Sequence, residues 1–212
     1  MASLAHDQEP DADPTWVATL AAYRAGAGAV QRLGSKFVDW SLPTDCPPWN
    51  AVALAGHLLT VARRHHRLLA AALAGQPAAD LPTGPELDAV NAADLTALGV
   101  SAGSDRILAF DAITTRYAER LAEADPERPM GSWRGIGTLT VGEHARLAAG
   151  EWHLHAWDLA GALGWDYRPR EPQLLLAAWT RLGARIEQGD PWEALLAVSG
   201  RRPAPEPRPF GP

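Results

Sequence analysis

Cysteine, lysine and long apolar runs are scarce in this sequence of 212 residues. Cys46 is the only cysteine, which excludes a disulfide within the chain and is typical of a reducing compartment. Lys36 is the only lysine among 19 basic residues, and 25 acidic residues give a net charge of −6. This balance argues against nucleic-acid binding, which needs a basic surface. No apolar run approaches the roughly 18 residues that span a bilayer, and the acidic N-terminus lacks a signal-peptide core. We therefore expect a cytoplasmic protein that binds neither nucleic acid nor membrane.

Helix signals dominate what is present. Thr140-Val-Gly-Glu143 has the pattern of a capping box, and Gly164 is a typical helix stop, which together predict a helix over 141–163. Similar caps and breaks predict further helices at 14–33, 51–74, 86–98, 105–124, 173–188 and 191–196. No alternating pattern predicts a strand. The predicted fold class is all-α, an up-and-down four-helix bundle with additions, in one domain over 13–198 with flexible tails at 1–12 and 199–212.

The segment Glu151-Trp-His-Leu-His155-Ala-Trp-Asp158 places acidic and imidazole side chains within a helix's apolar stripe. Residues four and seven apart project from nearly the same side of a helix. Glu151, His155 and Asp158 therefore lie where a core helix normally carries leucine, while Arg146, Ala149, His153, Ala156 and Ala160 are predicted to form an exposed face. Burying unpaired charge costs several kcal/mol, so a cation is expected to compensate.

A third ligand is expected from another helix, and His57 is the candidate because Leu54 and Val61 flank it on an apolar stripe. Two imidazoles and one carboxylate suit zinc, nickel or ferrous iron and leave coordination positions open. Asp158 is predicted to orient His155 or a bound water through a hydrogen bond. The alternatives are an ordinary contact between Glu151 and His155, one helical turn apart, and a hydrogen-bonded core histidine at His57.

Other polar residues carry weaker signals. Arg64 lies seven residues beyond His57 and is a candidate for gripping a carboxylate, or else a solvated helix residue. Cys46 is either a thiol near the site or, as we favour, an ordinary loop residue. His144 reaches the rim of the site or, as we favour, belongs to the capping region or the surface. Surface or packing roles are predicted for His65, His66 and His153.

Two segments resemble a known family. Residues 43–58, PTDCPPWNAVALAGHL, and residues 151–164, EWHLHAWDLAGALG, resemble the two signatures of the mycothiol-dependent maleylpyruvate isomerase family. The resemblance covers about residues 13–167. It implies a DinB-like metal-binding bundle in which His57, Glu151 and His155 hold the metal, most commonly zinc, and it allows a homodimer. Because only about 45 residues follow Tyr167, we expect a short, actinobacterial-type member that lacks the isomerase's C-terminal domain.

The first functional hypothesis is a metal-dependent transferase or isomerase in which mycothiol, or a similar low-molecular-weight thiol, attacks a small electrophile. Catalytic roles are predicted for Asp158, which would hold a ligand in place, and for Arg64, which would bind substrate. Two alternatives stay open: a hydrolase or lyase that uses metal-bound water, and a non-catalytic protein that binds a metal or a small ligand.

Overall fold

Four long helices enclose the core of the protein. The computed structural model describes residues 14–82, 85–97, 99–133, 137–181 and 189–202. The helices are α1 Pro14–Gly34, α2 Ala51–Leu73, α3 Pro85–Ala97, α4 Gly103–Ala122, α5 Val141–Ala162, α6 Pro172–Arg181 and α7 Pro191–Val198. Helices α1 and α2 each pack against α4 and α5, so α1 and α2 occupy diagonal positions in a four-helix bundle. Helix α6 packs on α5, and α7 packs on α6. The predicted all-α bundle with C-terminal additions is confirmed.

Local caps fix the starts of the two helices that matter most for the site. The side-chain oxygen of Asn50 accepts a hydrogen bond from the backbone amide of Ala53 at 3.0 Å, at the start of α2. At the start of α5, Thr140 and Glu143 form both hydrogen bonds of the predicted capping box. These bonds satisfy amides that the first helical turn leaves unpaired. They also set the register in which each helix presents its polar residues.

The predicted start of α4 is wrong by a small margin. The helix predicted over 105–124 begins two residues earlier, at Gly103, and Ala102 at the cap position makes no side-chain hydrogen bond. A Cβ atom at Gly103 would lie only 2.1 Å from the ring of Trp40. The absence of a side chain therefore lets Trp40 pack directly on the first turn.

A small sheet corrects the prediction that the chain has no strand. Its strands are β1 Ala79–Leu81, β2 Pro129–Trp133 and β3 Gly137–Thr140, in the order β1-β2-β3. Strand β1 is parallel to β2, and β2 is antiparallel to β3. Strands this short show little alternation, and the β1–β2 pairing joins segments that are far apart in sequence, so no local pattern reveals it.

Helix α5 is buried on nearly every side, so the predicted exposed face is wrong. Ala149 is 1% exposed, His153 is 4% exposed, and Ala156 and Ala160 are fully buried. Helix α1 covers much of this side, and a Cβ atom at its Gly26 would lie 2.9 Å from Cβ of Trp152. Small residues on both helices allow this close approach. A hydrophobicity pattern read from one helix does not detect it, because alanine is equally common on surfaces.

The N-terminal tail predicted over 1–12 lies outside the described residues, as does most of the predicted C-terminal tail. The single domain over 13–198 stays a prediction. Within the part of the chain that the structure describes, no helix combines the length and apolar character needed to cross a membrane.

Candidate metal centre

The structure brings His57, Glu151 and His155 together. His57 lies about two turns into α2, and α2 packs against α5, which carries the other two residues. Potential ligand atoms of the three side chains all lie within 4.8 Å of one another. Nε2 of His155 is 3.4 Å from Oε2 of Glu151, and the His57 and His155 ring centres are 5.0 Å apart. The two distant segments therefore converge as the sequence predicts, and the role of these residues as ligands is a proposal taken up below.

The protonation states of His57 and Glu151 suit a cation. Burial, and then the nearby His155, lower the pKa of His57 to about 3, so its ring is neutral at pH 7. Burial alone would raise the pKa of Glu151, but the hydrogen bond and charge of His155 outweigh it and lower that pKa to about 2. Nδ1 of His57 is buried and has no hydrogen-bond partner among the described residues. A neutral imidazole and an ionised carboxylate are ready ligands, because both present free lone pairs.

Asp158 contacts His155 at Nδ1, the ring nitrogen other than the one near Glu151. Nδ1 of His155 lies 2.8 Å from Oδ2 of Asp158, which is fully buried. Burial alone would lower the pKa of His155, but its hydrogen bonds to Asp158 and Glu151 outweigh this and raise that pKa. The bond to Asp158 assigns the Nδ1 proton to His155 and leaves Nε2 directed toward Glu151. A carboxylate on the far nitrogen is the usual support of a metal-binding histidine.

Arg201 is a site residue that the sequence analysis missed. Its Nε donates to Oδ1 of Asp158 at 2.8 Å, and its Nη2 donates to Oδ2 at 2.7 Å. Burial alone would raise the pKa of Asp158, but its hydrogen bonds to His155 and Arg201 outweigh this and lower that pKa. The carboxylate is therefore ionised. Arg201 falls within the predicted flexible tail, and no periodic pattern surrounds it. Its role follows only from the packing of residues 199–202 against α5.

The loop before α2 adds two side chains to the site. The Trp49 ring lies over His57, with 4.4 Å between ring centres, and thereby holds the imidazole against the bundle. Cys46 forms a second group with His155 and Asp158, whose potential ligand atoms also lie within 4.8 Å of one another. Burial, and then the charge of Asp158, raise the pKa of the Cys46 thiol. The favoured interpretation of Cys46 as an ordinary loop residue is therefore wrong about its surroundings, since the thiol lies beside the site.

A pocket opens beside the cluster. His57 and Glu151 line it together with Arg64, whose guanidinium donates a hydrogen bond to the side chain of Asn91 on α3. The Glu151 side chain keeps 34% of its surface accessible although it lies deep in the bundle, because it borders this pocket. Arg64 therefore faces the same space as the proposed ligands. Its substrate-binding role stays a prediction.

His65 and His144 also line this pocket. The packing role predicted for His65 agrees with its ring contacts to Tyr117 and Trp152. The capping or surface role favoured for His144 is wrong. His144 is 2% exposed, and its ring centre is 5.8 Å from that of His65. Helical spacing does place His144 on the side of Glu151, but it gives no measure of how deeply the neighbouring helices bury it. His153, by contrast, has the predicted packing role: it contacts the carbonyl oxygen of Ala22 at 3.1 Å and the hydroxyl of Tyr167 at 2.5 Å.

Comparisons with known proteins agree with this architecture. The structure is similar to a crystal structure of mycothiol-dependent maleylpyruvate isomerase, with a TM-score of 0.64 and 16% identity, over 88% of this chain and 90% of that chain. This likeness confirms the DinB-like fold. Because it extends over 90% of the solved chain, it gives no support to the prediction that this chain lacks a domain of the isomerase. No curated protein matches the sequence significantly.

The sequence itself matches a family model. Residues 8–160 match the model described as the mycothiol maleylpyruvate isomerase N-terminal domain. The matched region includes the first predicted signature, residues 151–160 of the second, and all three residues of the His57, Glu151 and His155 cluster. The chain therefore belongs to the family of the mycothiol maleylpyruvate isomerase N-terminal domain.

Proposed function

We propose that this protein is a divalent-metal-dependent enzyme that uses mycothiol, or a similar low-molecular-weight thiol, in a transferase or isomerase reaction on a small electrophile. The observation that carries the proposal is the convergence of His57, Glu151 and His155 beside a pocket. Family membership supports the choice of thiol, since the family model is named for mycothiol.

The donor set fits a divalent ion such as zinc. Two imidazole nitrogens and one carboxylate oxygen form a common three-ligand set of catalytic zinc sites, which leave a further position for water or substrate. Nickel and iron accept the same donors. When bound, the metal would hold the thiol and lower its pKa, which makes thiolate available near neutral pH.

The chain's own residues perform the positioning. Asp158 keeps a proton on Nδ1 of His155. Nε2, on the side of Glu151, is then the ring nitrogen available to bind a metal. Trp49 fixes the ring of His57 by stacking on it. Arg64 lines the pocket from α2, where its charge suits an anionic part of a thiol or of a substrate. The pocket holds the electrophile next to the cluster, so that the thiol and the carbon it attacks meet in one orientation.

Structural zinc sites usually close with four protein ligands. The cluster of His57, Glu151 and His155 contains three, and no fourth residue of the described chain joins it within the same distance. This open arrangement favours chemistry over a purely structural metal, but it is equally compatible with metal-bound water as nucleophile. The two functions differ in whether a thiol is needed.

The test is adduct formation by the metal-loaded protein. Purified protein would be incubated with mycothiol and a panel of electrophiles, namely a conjugated ketone, an epoxide and an activated aryl halide. We expect accelerated loss of one electrophile with formation of its thiol adduct, and loss of the acceleration in His57→Ala. His66→Ala is the matched control, because His66 lies on the same helix and does not line the pocket.

Two outcomes would contradict the proposal. Adduct formation at the same rate in His57→Ala as in wild type would show that the metal centre takes no part in the reaction. Turnover of an electrophile without any thiol would select the metal-bound-water alternative instead.

A further inference from the structure

The pocket beside the metal centre has a polar inner end. His65 contacts Tyr117 and Trp152, with ring centres 6.3 and 5.9 Å away, and both of these residues are fully buried. His144 lies against His65, so the pair marks the side of the pocket nearest the bundle core. Glu151 and Arg64 are the charged residues among the described ones that line the same cavity.

The two imidazoles lack partners within the described part of the chain. Nδ1 of His65 and both ring nitrogens of His144 are buried without a hydrogen bond. Burial lowers the pKa of His65 to about 3 and that of His144 to about 4, so both rings are neutral at pH 7. A neutral imidazole carries one N–H donor and one acceptor nitrogen. Leaving such groups buried and unpaired is unfavourable, so a partner is expected.

Most of the remaining wall is apolar, and the space is small. Val61, Leu68, Leu147 and Trp179 supply much of this lining, and the cavity volume is about 150 Å³. An engineered apolar cavity of about this volume in another protein holds benzene. The shape and lining of the pocket therefore suit one ring rather than a long or highly charged molecule.

We infer that this pocket binds a neutral, ring-sized molecule whose hydroxyl or carbonyl group hydrogen-bonds to His65 and His144. The ring lies between Val61, Leu147 and Trp179, and the polar group replaces the missing partners of the two imidazoles. A carboxylate at this end is disfavoured, because neutral imidazoles and apolar walls do not compensate its lost hydration. Arg64 is then left for an anionic part of the thiol.

The inference rests on the proposed function only in taking the bound molecule to be the electrophile. His65 and His144 are specificity residues of the pocket and are not among the proposed metal ligands. Binding can be measured without thiol and without turnover, so the two proposals can fail separately. If a ring probe binds but no thiol adducts form, only the proposed reaction is rejected. If thiol adducts form but no ring probe binds, only the assignment of this pocket is rejected.

Three probes of equal ring size test it by calorimetric titration of the full chain: benzene, phenol and benzoate. We expect phenol to bind wild-type protein at least tenfold more tightly than benzene or benzoate. In His144→Leu, the affinity for phenol should fall by about tenfold, while benzene should bind at least as tightly as to wild type. The reason is that an apolar side chain replaces the polar partner. His66→Leu on α2 is the control and should behave as wild type.

The comparison within wild-type protein keeps the test decisive even where His144→Leu does not fold. Equal affinity for phenol and benzene would show that water satisfies the two imidazoles, and would overturn the inference. Tighter binding of benzoate than of phenol would overturn it as well, because it would assign the inner end to an anion. Failure of all three probes to bind would exclude a ring-sized ligand.

Discussion

Arg201 grips Asp158 with two hydrogen bonds, from Nε to Oδ1 at 2.8 Å and from Nη2 to Oδ2 at 2.7 Å. Only 9% of the Arg201 side chain and none of the Asp158 side chain is exposed. Asp158 in turn contacts Nδ1 of His155. Arg201, in the segment that follows α7, thus supports the proposed metal centre through Asp158.

Breaking this pair is expected to be costly. Arg201→Ala leaves the Asp158 carboxylate buried without its cation, which should lower the free energy of unfolding by about 3–5 kcal/mol. Urea denaturation measures the change. Arg202→Ala is the matched control, because Arg202 pairs with Glu193 at a position where both side chains are about half exposed. We expect the control to change stability by less than about 1 kcal/mol. Similar losses in both variants would show that the buried pair has no special role.

The three proposed ligands predict the metal content. Elemental analysis of the purified wild-type protein should give close to one divalent ion per chain, with strong loss in His57→Ala and in Glu151→Gln. Each substitution removes one of three donors, and the Glu151 change also removes the negative charge that the cation neutralises. His66→Ala should keep the metal. Full retention in His57→Ala would contradict the ligand assignment.

Cys46 distinguishes the two possible ligand groups, which share His155. We expect Cys46→Ser to keep the metal, because the assigned group does not contain the thiol. Burial and Asp158 raise the pKa of Cys46, so its thiolate is scarce at neutral pH in the metal-free protein. Elemental analysis alongside His57→Ala decides the matter. Loss of metal in Cys46→Ser with retention in His57→Ala would place the ion between Cys46, His155 and Asp158.

His144 predicts a pH dependence of stability in the metal-free protein. Burial lowers its pKa from an ordinary 6.5 to about 4, so between these values the unfolded chain binds a proton that the folded chain does not. Its contribution is therefore fully present above pH 6.5 and is lost as the pH falls toward 4. At about 1.4 kcal/mol per pH unit, wild type should lose about 2 kcal/mol relative to His144→Leu between pH 7.5 and 5.

Urea denaturation of both proteins at several pH values checks this. His66→Leu serves as control and should follow wild type closely, because His66 is only partly buried. A constant difference in stability between wild type and His144→Leu across this range would contradict the prediction. It would show that His144 has the same protonation state in the folded and the unfolded protein.

Local signals explain what the sequence predicts well. The capping box of Thr140 and Glu143 involves residues three apart, so it can be recognised without knowing the fold, and it fixes the register of α5. His57, Glu151 and His155 were recognisable because each interrupts an apolar stripe. Their convergence could be stated only as a hypothesis, because it depends on α2 and α5 being neighbours.

Long-range packing explains what was missed. Arg201 meets Asp158 across 43 residues, and nothing near either residue in the sequence indicates the partner. The pairing of Ala79 with Gly131 in the sheet is similarly remote. His65 and His144 each look ordinary on their own helices. They become a pair only where Gly131 makes room, since a Cβ atom there would lie 2.8 Å from Nε2 of His144.

The burial of α5 determines which parts of the site can move. This helix carries Glu151, His155 and Asp158, and a shift along its axis would have to disrupt packing against α1, α2 and α6 together. Motion that admits or releases a ligand is therefore expected outside α5, in α3, which lines the pocket through Leu87 and Asn91. Amide exchange should be slow in α5 and faster in α3.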